Sequence, residues 1–408
     1  MVVVVVLVAV ATVLIVRRRR YIRDLRDRGW TFVNSPTLES VLDHQAPPFG
    51  LGFERLVDES ISGATSTGVH FHVFEYSCRD GGPSFDERLA SLQLPTGLPA
   101  LPPLFVSSGR PRTGAHLPSV DLGPGWEIRA FDPDYAATVL TAQVRQAIGE
   151  FASVAGRIDL SIDGSHLVAV GAPKQPDALH AYLEALAPVV CALDVAALAP
   201  YAAAPPPARF GFFGRPDWTL IERDDSLIDK YGLTRDGTHH RTERIIRGSN
   251  DGLPLEAFVH RWQTTRTVTD TDSEGKSRTR TVTDKHVENV TAVWLPFRLP
   301  QLSINGGWGG ARVKFELEEF NDRFKVRTSH AKFAYDVLHP RTIEYLMAVN
   351  PPGLEIEGDL VRFPSSKHDT LEIGRCADFV HELLARVPSF VWSDLGVTAP
   401  KFRSAASD

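Results

Sequence analysis

The chain opens with an uninterrupted apolar run. Residues 2–16 are apolar apart from a single threonine, and the run has no polar face that would lay it flat on a membrane surface. As an α-helix at about 1.5 Å per residue it covers a little over about 20 Å, so flanking residues must extend it to cross a hydrocarbon core of about 30 Å. The pattern predicts a short transmembrane helix, which ends in a basic stop formed by Arg17, Arg18, Arg19 and Arg20.

The position of these arginines predicts the orientation of the helix. A cleavable signal peptide carries its positive charges before the apolar run, whereas here they follow it. Arginines beside a span mark the cytoplasmic side, where anionic lipid head groups stabilise each of them by roughly 1 kcal/mol. We therefore expect a single-pass protein of the inner (plasma) membrane, with a cytoplasmic body and head groups bound at the basic stop.

Beyond the anchor, the pattern changes to short segments in which apolar and polar residues alternate. The alternation in Phe53 to Ile61 and in Val69 to Tyr76 predicts a β-hairpin, and Asp163-Gly164 is a strong two-residue turn signal. Asp132-Pro133 predicts the start of a helix. The stretch 95–124 is dense in Pro and Gly and reads as a long loop, while the acidic run Glu316 to Asp322 reads as the outer face of a strand.

The same order of patterns occurs twice, about 190 residues apart. Gly29–Val33 returns as Asp217–Ile221, and Phe53–Val57 returns as Thr242–Ile246. Such order predicts an α+β fold with two tandem pseudo-symmetric repeats, each an antiparallel sheet with two helices, after one N-terminal transmembrane helix. The division is a transmembrane helix and basic stop at 1–22, a first repeat at 23–195, an Ala/Pro-rich linker at 196–214, a second repeat at 215–395 and a tail at 396–408.

The largest difference between the halves is an insertion in the second. The hexamer TRTVTD occurs at Thr265–Asp270 and again at Thr279–Asp284, on either side of a turn. Thr and Val favour strands, but both faces of such a ribbon are polar, so it cannot enter a core. The insertion predicts a projecting two-stranded arm, which either docks a protein partner or charged lipid head groups, or is a solvated decoration. Its candidate docking residues are Arg266, Val268, Lys276, Arg278, Arg280 and Val282.

The remaining residues give no pattern typical of nucleic-acid binding, metal binding or catalysis. A net charge of −6 gives no global attraction to nucleic acid, so we expect no nucleic-acid partner. The three cysteines lie far apart and read as buried small residues, and His70, His72 and Cys78 make a weak metal candidate with no fourth ligand. His239-His240 read as solvent-facing residues of a turn. We predict no catalytic, cofactor-binding or metal-binding residues, and hence no enzyme.

Three structural signposts carry a resemblance. With Trp30, a Leu-Pro pair repeated within each half, and the closing segment Pro388–Trp392, the chain resembles a family of uncharacterised actinobacterial membrane-anchored proteins, from Val2 to about Trp392. That resemblance implies a duplicated cytoplasmic α+β domain and supplies no catalytic residues. The layout is also similar to the membrane-anchored accessory factors that attend trehalose-monomycolate export.

These observations predict a function at the membrane. The leading hypothesis is a non-enzymatic, membrane-tethered scaffold or accessory protein for a cell-envelope assembly or lipid-transport machine, with an integral-membrane or envelope-assembly protein as its partner. Tethering raises the effective concentration at the bilayer, so weak contacts suffice. The alternative is a lipid- or small-ligand-binding module with an apolar cavity between sheet and helices.

Overall fold

The chain divides into two compact units, each of which is α+β with a large antiparallel sheet. The units are Met1–Gly214 and Arg215–Asp408. The computed structural model describes residues 2–81, 84–109, 117–205, 209–234, 237–271, 277–307, 310–364 and 366–398.

In the first unit, the sheet is covered by helices that pack on one face. Its strands are β1 (Thr31–Val33), β2 (Phe53–Ala64), β3 (His70–Arg79), β4 (Phe85–Gln93), β5 (Leu101–Ser107), β6 (Ser119–Val120), β7 (Glu127–Ala130), β8 (Asp159–Gly164) and β9 (His166–Val170). Its helices are α1 (Val2–Asp27), α2 (Pro133–Val139), α3 (Ala142–Ala155), α4 (Pro176–Cys191) and α5 (Val195–Leu198). The strand order is β1-β2-β3-β4-β9-β8-β5-β7-β6, and every pairing between them is antiparallel.

Local sequence explains where α2 and α3 begin. The side chain of Asp132 accepts hydrogen bonds from the backbone N–H groups of Asp134 and Tyr135, and a proline occupies the first helical position. The predicted helix is interrupted because Leu140 leaves the helical conformation and Thr141 then caps α3. Both helices bury apolar side chains against the sheet, as the helical spacing predicts.

In the second unit, fewer but longer strands form the sheet. A short strand, β10 (Gly211–Phe212), precedes it. Its own strands are β11 (Arg215–Arg223), β12 (Thr238–Asn250), β13 (Leu253–Thr271), β14 (Ser277–Ile304), β15 (Ala311–Val313), β16 (Val326–Thr328) and β17 (Leu354–Pro364). Its helices are α6 (Ser226–Lys230), α7 (Glu318–Arg323), α8 (Ala331–Val337), α9 (Pro340–Val349), α10 (Thr370–Ala385) and α11 (Ser389–Asp394). The order is β11-β12-β13-β14-β16-β15, with β17 also paired to β14.

The two sheets follow one pairing scheme. In the first unit β4 pairs with β9 and β5 pairs with β8, and β8 and β9 form a hairpin. In the second, β14 pairs with β17 in two segments that are separated by register shifts. The long β14 therefore occupies the places of β4 and β5, and β17 those of β8 and β9. The turn glycines Gly164 and Gly358 both have positive φ, at 59° and 63°.

A pair of β-bulges marks the second strand of each unit. In β2 the register shifts around Glu54 and again around Glu59, both of which have positive φ. In β12 the register shifts around His239 and again around Arg244, which also have positive φ. Each bulge adds one residue to this strand and increases its twist. The bulges lie at the same spacing in both units.

The strand register corrects one part of the sequence alignment. Phe32 lies opposite Ile61 in the first unit, and Leu220 lies opposite Ile246 in the second. Ile61 and Ile246 therefore hold the same register position in their sheets, whereas the alignment of Phe53–Val57 with Thr242–Ile246 pairs Val57 with Ile246. That match is displaced by four residues, because two similar apolar patterns within one strand can be aligned at either position.

The acidic run of the second unit was wrongly predicted as a strand. Residues 318–323 form α7, with Glu318 and Glu319 in its first turn, where carboxylates favour the helix dipole. Phe320 is fully buried, and its ring lies edge-on to that of Phe315 at 5.3 Å. A helix of six residues is too short to give a clear 3.6-residue period, so the alternation with Phe315 and Leu317 was misleading.

Candidate functional site

Helix α1 has an exposed half and a docked half. Leu14 and Val16 are 60% and 59% exposed, whereas Leu25 is completely buried against the first unit. The helix ends at Asp27, and Gly29, with a φ of 77°, lets the chain turn while the Trp30 N–H donates to the Leu25 carbonyl at 3.1 Å. The later half is therefore fixed to the body, and the apolar side chains at 13–16 are exposed.

Arg18 belongs to the dock. Its guanidinium donates to the Glu59 carboxylate and, at 2.7 Å, to Oδ1 of Asn34, and it lies 4.8 Å from the ring centre of Phe32. Three different interactions hold one side chain against β1 and β2, so Arg18 fastens the helix to the sheet. The other predicted head-group contacts, Arg17, Arg19 and Arg20, are exposed.

A buried arginine lies beneath this dock. Arg88 is 5% exposed, and its Nη2 donates to the Tyr21 hydroxyl of α1 at 3.1 Å. Its Nη1 lies 3.6 Å from Oε1 of Glu75, which also accepts from Lys174 at 2.7 Å. That hydrogen bond raises the pKa of Lys174. The charges beneath α1 are therefore paired, and the helix orientation is set by polar contacts as well as by Leu25.

A cleft opens beside the basic turn of α1. It has a volume of about 990 Å³, and its walls include Arg17 and Arg20 from the helix and Gln175 before α4. An ion pair between Arg28 and Asp177 joins the two walls near one end. The lining also carries the carboxylates of Asp24, Asp27 and Glu59, so the charge of the cleft is mixed.

In the described part of the chain, no single helix has the length and apolarity that a membrane span requires. One bent pair, Pro176–Cys191 with Val195–Tyr201 at 68°, meets the requirement jointly. The spanning helix stays a prediction.

The arm of the second unit is a paired ribbon. Its strands are in register from Thr264↔Asp284 to Thr271↔Ser277, beyond the last residues that β12 and β17 pair with. The register places Thr265, Thr267 and Thr269 opposite Thr283, Thr281 and Thr279. One face of the ribbon is therefore made of threonines, a consequence of the two copies of TRTVTD running antiparallel.

The opposite face of the arm carries four of the predicted docking residues. Arg266 lies opposite Val282, and Val268 lies opposite Arg280, so basic and apolar residues alternate across it. Nε of Arg266 donates to Oδ2 of Asp284 at 2.8 Å, and the two valines are only partly exposed. Lys276 and the side chain of Arg278 lie outside the described residues. A ribbon with open edges and such a face can pair with an extended segment of another protein.

A stack of rings at the base of the arm was missed by sequence reasoning. Nδ1 of His240 and Nε2 of His260 share a hydrogen bond at 3.0 Å, and His260 stacks on Trp262 at 4.7 Å. Trp262 in turn stacks on His286 at 5.0 Å. Burial, and then the neighbouring His240, lower the pKa of His260 to about 4. The prediction that His240 faces water is wrong, since the bulge around His239 brings it onto the sheet.

The other candidate residues do not come together. Among the described residues, no three His, Cys, Asp or Glu side chains converge on a point that could hold a metal. His70 is exposed while Cys78 is buried, and burial raises the pKa of the Cys78 thiol to about 11. Cys191 is exposed, against the expectation that all three cysteines are buried, whereas Cys78 and Cys376 are buried.

An apolar cavity lies between the sheet and helices of the first unit. Its volume is about 20 Å³, and Leu104, Val144 and Leu160 are among its walls. Such a space has room for about one water molecule. An acyl chain fits there only if core side chains move, so this cavity does not favour the ligand-binding alternative.

The chain matches no protein-family model and no curated protein sequence. Among solved structures it is similar to the mycobacterial trehalose monomycolate transport factor A, TtfA, with a TM-score of 0.31 and 11% identity. The match covers 43% of this chain and 95% of that one. A similarity of this size carries no argument about the fold or function of this chain.

Proposed function

We propose that this chain is a non-enzymatic scaffold or accessory protein, tethered by α1 to the inner membrane and presenting both units to partners on the cytoplasmic side. The cell-envelope and lipid-transport setting of the proposal rests on the sequence resemblance alone.

The asymmetry of α1 carries the proposal. One continuous helix buries Leu25 in the body, packs the partly buried Tyr21 against it, and leaves Val13 to Val16 exposed to solvent at 50–60% each. Contiguous apolar side chains without a cover mark a surface for a membrane or a partner. Because the apolar run precedes the arginines, insertion in a bilayer puts Arg17, Arg19 and Arg20 at the level of the head groups. The docked half then holds the body at that surface.

The second support is the shared pairing scheme of the two sheets. Equivalent strand order, turn glycines and spaced bulges favour a duplicated unit. If the unit is duplicated, the first unit can keep the membrane tether α1 while the second unit acquires a contact surface. The arm is an extension of β13 and β14, and β3 and β4 pair without such an extension.

The arm is the proposed contact with an integral-membrane or envelope-assembly partner. Its guanidinium and valine face combines charge complementarity with apolar contact area, which is typical of weak docking surfaces. Confinement to the bilayer lets a weak contact of this kind operate.

Co-purification in a mild detergent tests this proposal. The full chain should recover one defined integral-membrane protein, and a chain lacking residues 267–282 should lose it while both units keep their melting transitions. A matched control replaces Thr267 and Thr281, a directly paired threonine rung, by serine and should retain the partner. Recovery of general chaperones alone, or equal recovery without the arm, would contradict the docking role.

A further inference from the structure

A polar pocket of about 530 Å³ lies in the second unit beside the start of the arm. We call it the arm-base pocket. Four side chains with a permanent positive charge line it, from β11, β12, β13 and β14, and no described lining residue is a carboxylate. The four are Arg223, Arg241, Arg261 and Lys285.

Neighbouring carboxylates balance only part of this charge. Glu243 forms ion pairs with both Arg241 and Arg261, and Asp225 pairs with Arg223 at 2.5 Å. In these pairs one carboxylate is shared by two guanidinium groups. Lys285 is exposed, and its ammonium adds to the positive field of the pocket. A concave surface with excess positive charge concentrates small anions.

The bulge in β12 builds one wall of the pocket. His239 and His240 together lie opposite Trp262, and His239 has a φ of 57°, an unfavourable backbone conformation for a residue with a side chain. Such conformations persist where the surroundings fix them, and they often occur at binding sites.

The histidine pair has unsatisfied atoms at both ends. Nε2 of His240, a residue of the pocket lining, is buried without a hydrogen-bond partner. Nδ1 of His260 also lacks one, but His260 lies outside the lining. Nδ1 of His260 has the Glu288 carboxylate 3.9 Å away, too far for a hydrogen bond. Buried polar atoms without partners are uncommon in native structures and indicate a place for a ligand or ordered water.

We propose that the arm-base pocket binds the oxyanion of a phosphate monoester, carried by a lipid head group or by a small soluble ester. Guanidinium groups match phosphate geometry and donate in pairs, as Arg241 and Arg261 are placed to do through the nitrogens that Glu243 leaves free. The volume lies within the range of about 300–1,000 Å³ that small-molecule sites occupy.

Calorimetric titration of the full chain in dodecyl maltoside tests the proposal. The probes are glycerol 3-phosphate, dihexanoyl phosphatidic acid and glycerol, which carry the phosphate on a soluble ester, on a lipid, or not at all. Arg261→Gln should weaken phosphate binding by roughly tenfold or more, because it removes a charge-assisted donor. Lys285→Gln, at an exposed position, preserves the fold and should weaken binding severalfold. Arg327→Gln, an exposed arginine outside the pocket, is the matched control and should bind as the wild type does.

Each outcome decides a point. Equal affinity for both phosphate probes supports a soluble ester, and affinity at least tenfold higher for the phosphatidic acid supports a lipid head group. The proposal fails if neither phosphate probe binds better than glycerol. It also fails if Arg261→Gln and Lys285→Gln both bind like the wild type, or if Arg327→Gln loses as much affinity as they do.

Discussion

Replacement of Leu25 by alanine tests how firmly α1 is joined to the first unit. Leu25 is completely buried in a cluster that includes Trp30, and its carbonyl accepts the hydrogen bond that turns the chain into β1. Leu14 lies on the same helix and is 60% exposed. Leu25→Ala and Leu14→Ala therefore remove the same atoms from the same helix, one at a buried position and the other at an exposed one.

The expected magnitude follows from burial. A fully buried leucine replaced by alanine costs about 2–5 kcal/mol, from lost transfer free energy and from the cavity left behind. For a unit of this size, each 1 kcal/mol lowers the melting temperature by about 2–4 °C. A loss of about 3 kcal/mol then corresponds to a fall of roughly 6–12 °C. The exposed Leu14→Ala should stay within about 0.5 kcal/mol of the wild type.

Differential scanning calorimetry of the full chain in detergent measures this difference. The transition of the first unit should move down for Leu25→Ala and stay in place for Leu14→Ala, while the transition of the second unit should not respond to either variant. Limited proteolysis near Gly29 should also become faster only for Leu25→Ala. Equal melting temperatures for both variants would refute the docked helix, and an equal loss for both would refute its exposed half.

Three further predictions follow from individual contacts. Burial lowers the pKa of His368 to about 4, below the unfolded value of 6.5, so the neutral ring stabilises the fold fully above pH 6.5 and this stabilisation is lost as pH falls towards 4. At pH 5 the loss is at most about 2 kcal/mol. In thermal melts, His368→Gln should show a smaller pH dependence than the wild type, whereas the exposed control His330→Gln should not. Asp132→Ala removes the cap of α2 and should cost about 0.5–2 kcal/mol in denaturant melts, whereas Asp132→Asn should retain most of it. Val8→Asp places a charge in the middle of the apolar run, which costs about 2.5–3.5 kcal/mol of membrane insertion at a helix centre. This variant should be released from carbonate-washed membranes, whereas the control Val8→Leu should stay. Equal retention of both variants would count against the span.

Much of the secondary structure followed from short-range signals, and the exceptions have identifiable causes. The Asp132 cap and the Asp163-Gly164 turn act within a few residues, so the sequence alone predicts them. By contrast, the prediction of a long loop over 95–124 is wrong, because β5, which begins Leu101-Pro102-Pro103, lies between β8 and β7 inside the sheet. The register shift between Leu101 and Leu104 accommodates these prolines. The local sequence pattern does not predict such a shift.

The candidate sites divide in the same way. The arm is a local feature, and its composition was sufficient to predict a paired ribbon. The basic stop also rests on composition and stays a prediction. The dock of Arg18 on Glu59 and the pocket beside Trp262 join residues that are far apart in the chain. Their positions depend on the bulges in β2 and β12. Each bulge inserts one residue, so the side chains that follow it point to the opposite face of the sheet. The positive φ of His239 marks the bulge in β12, but a backbone angle can be read only from a structure.

The most direct measurement uses the exposed thiol of Cys191, because the other two cysteines are buried. Spheroplasts that express the full chain are treated with a membrane-impermeant maleimide before and after permeabilisation, and carbonate-washed membranes are then collected. A tethered body on the cytoplasmic side predicts a chain that stays with the membranes and is labelled only after permeabilisation, with Cys191→Ser as the unlabelled control. Labelling of intact spheroplasts, or a chain released by carbonate, would contradict it.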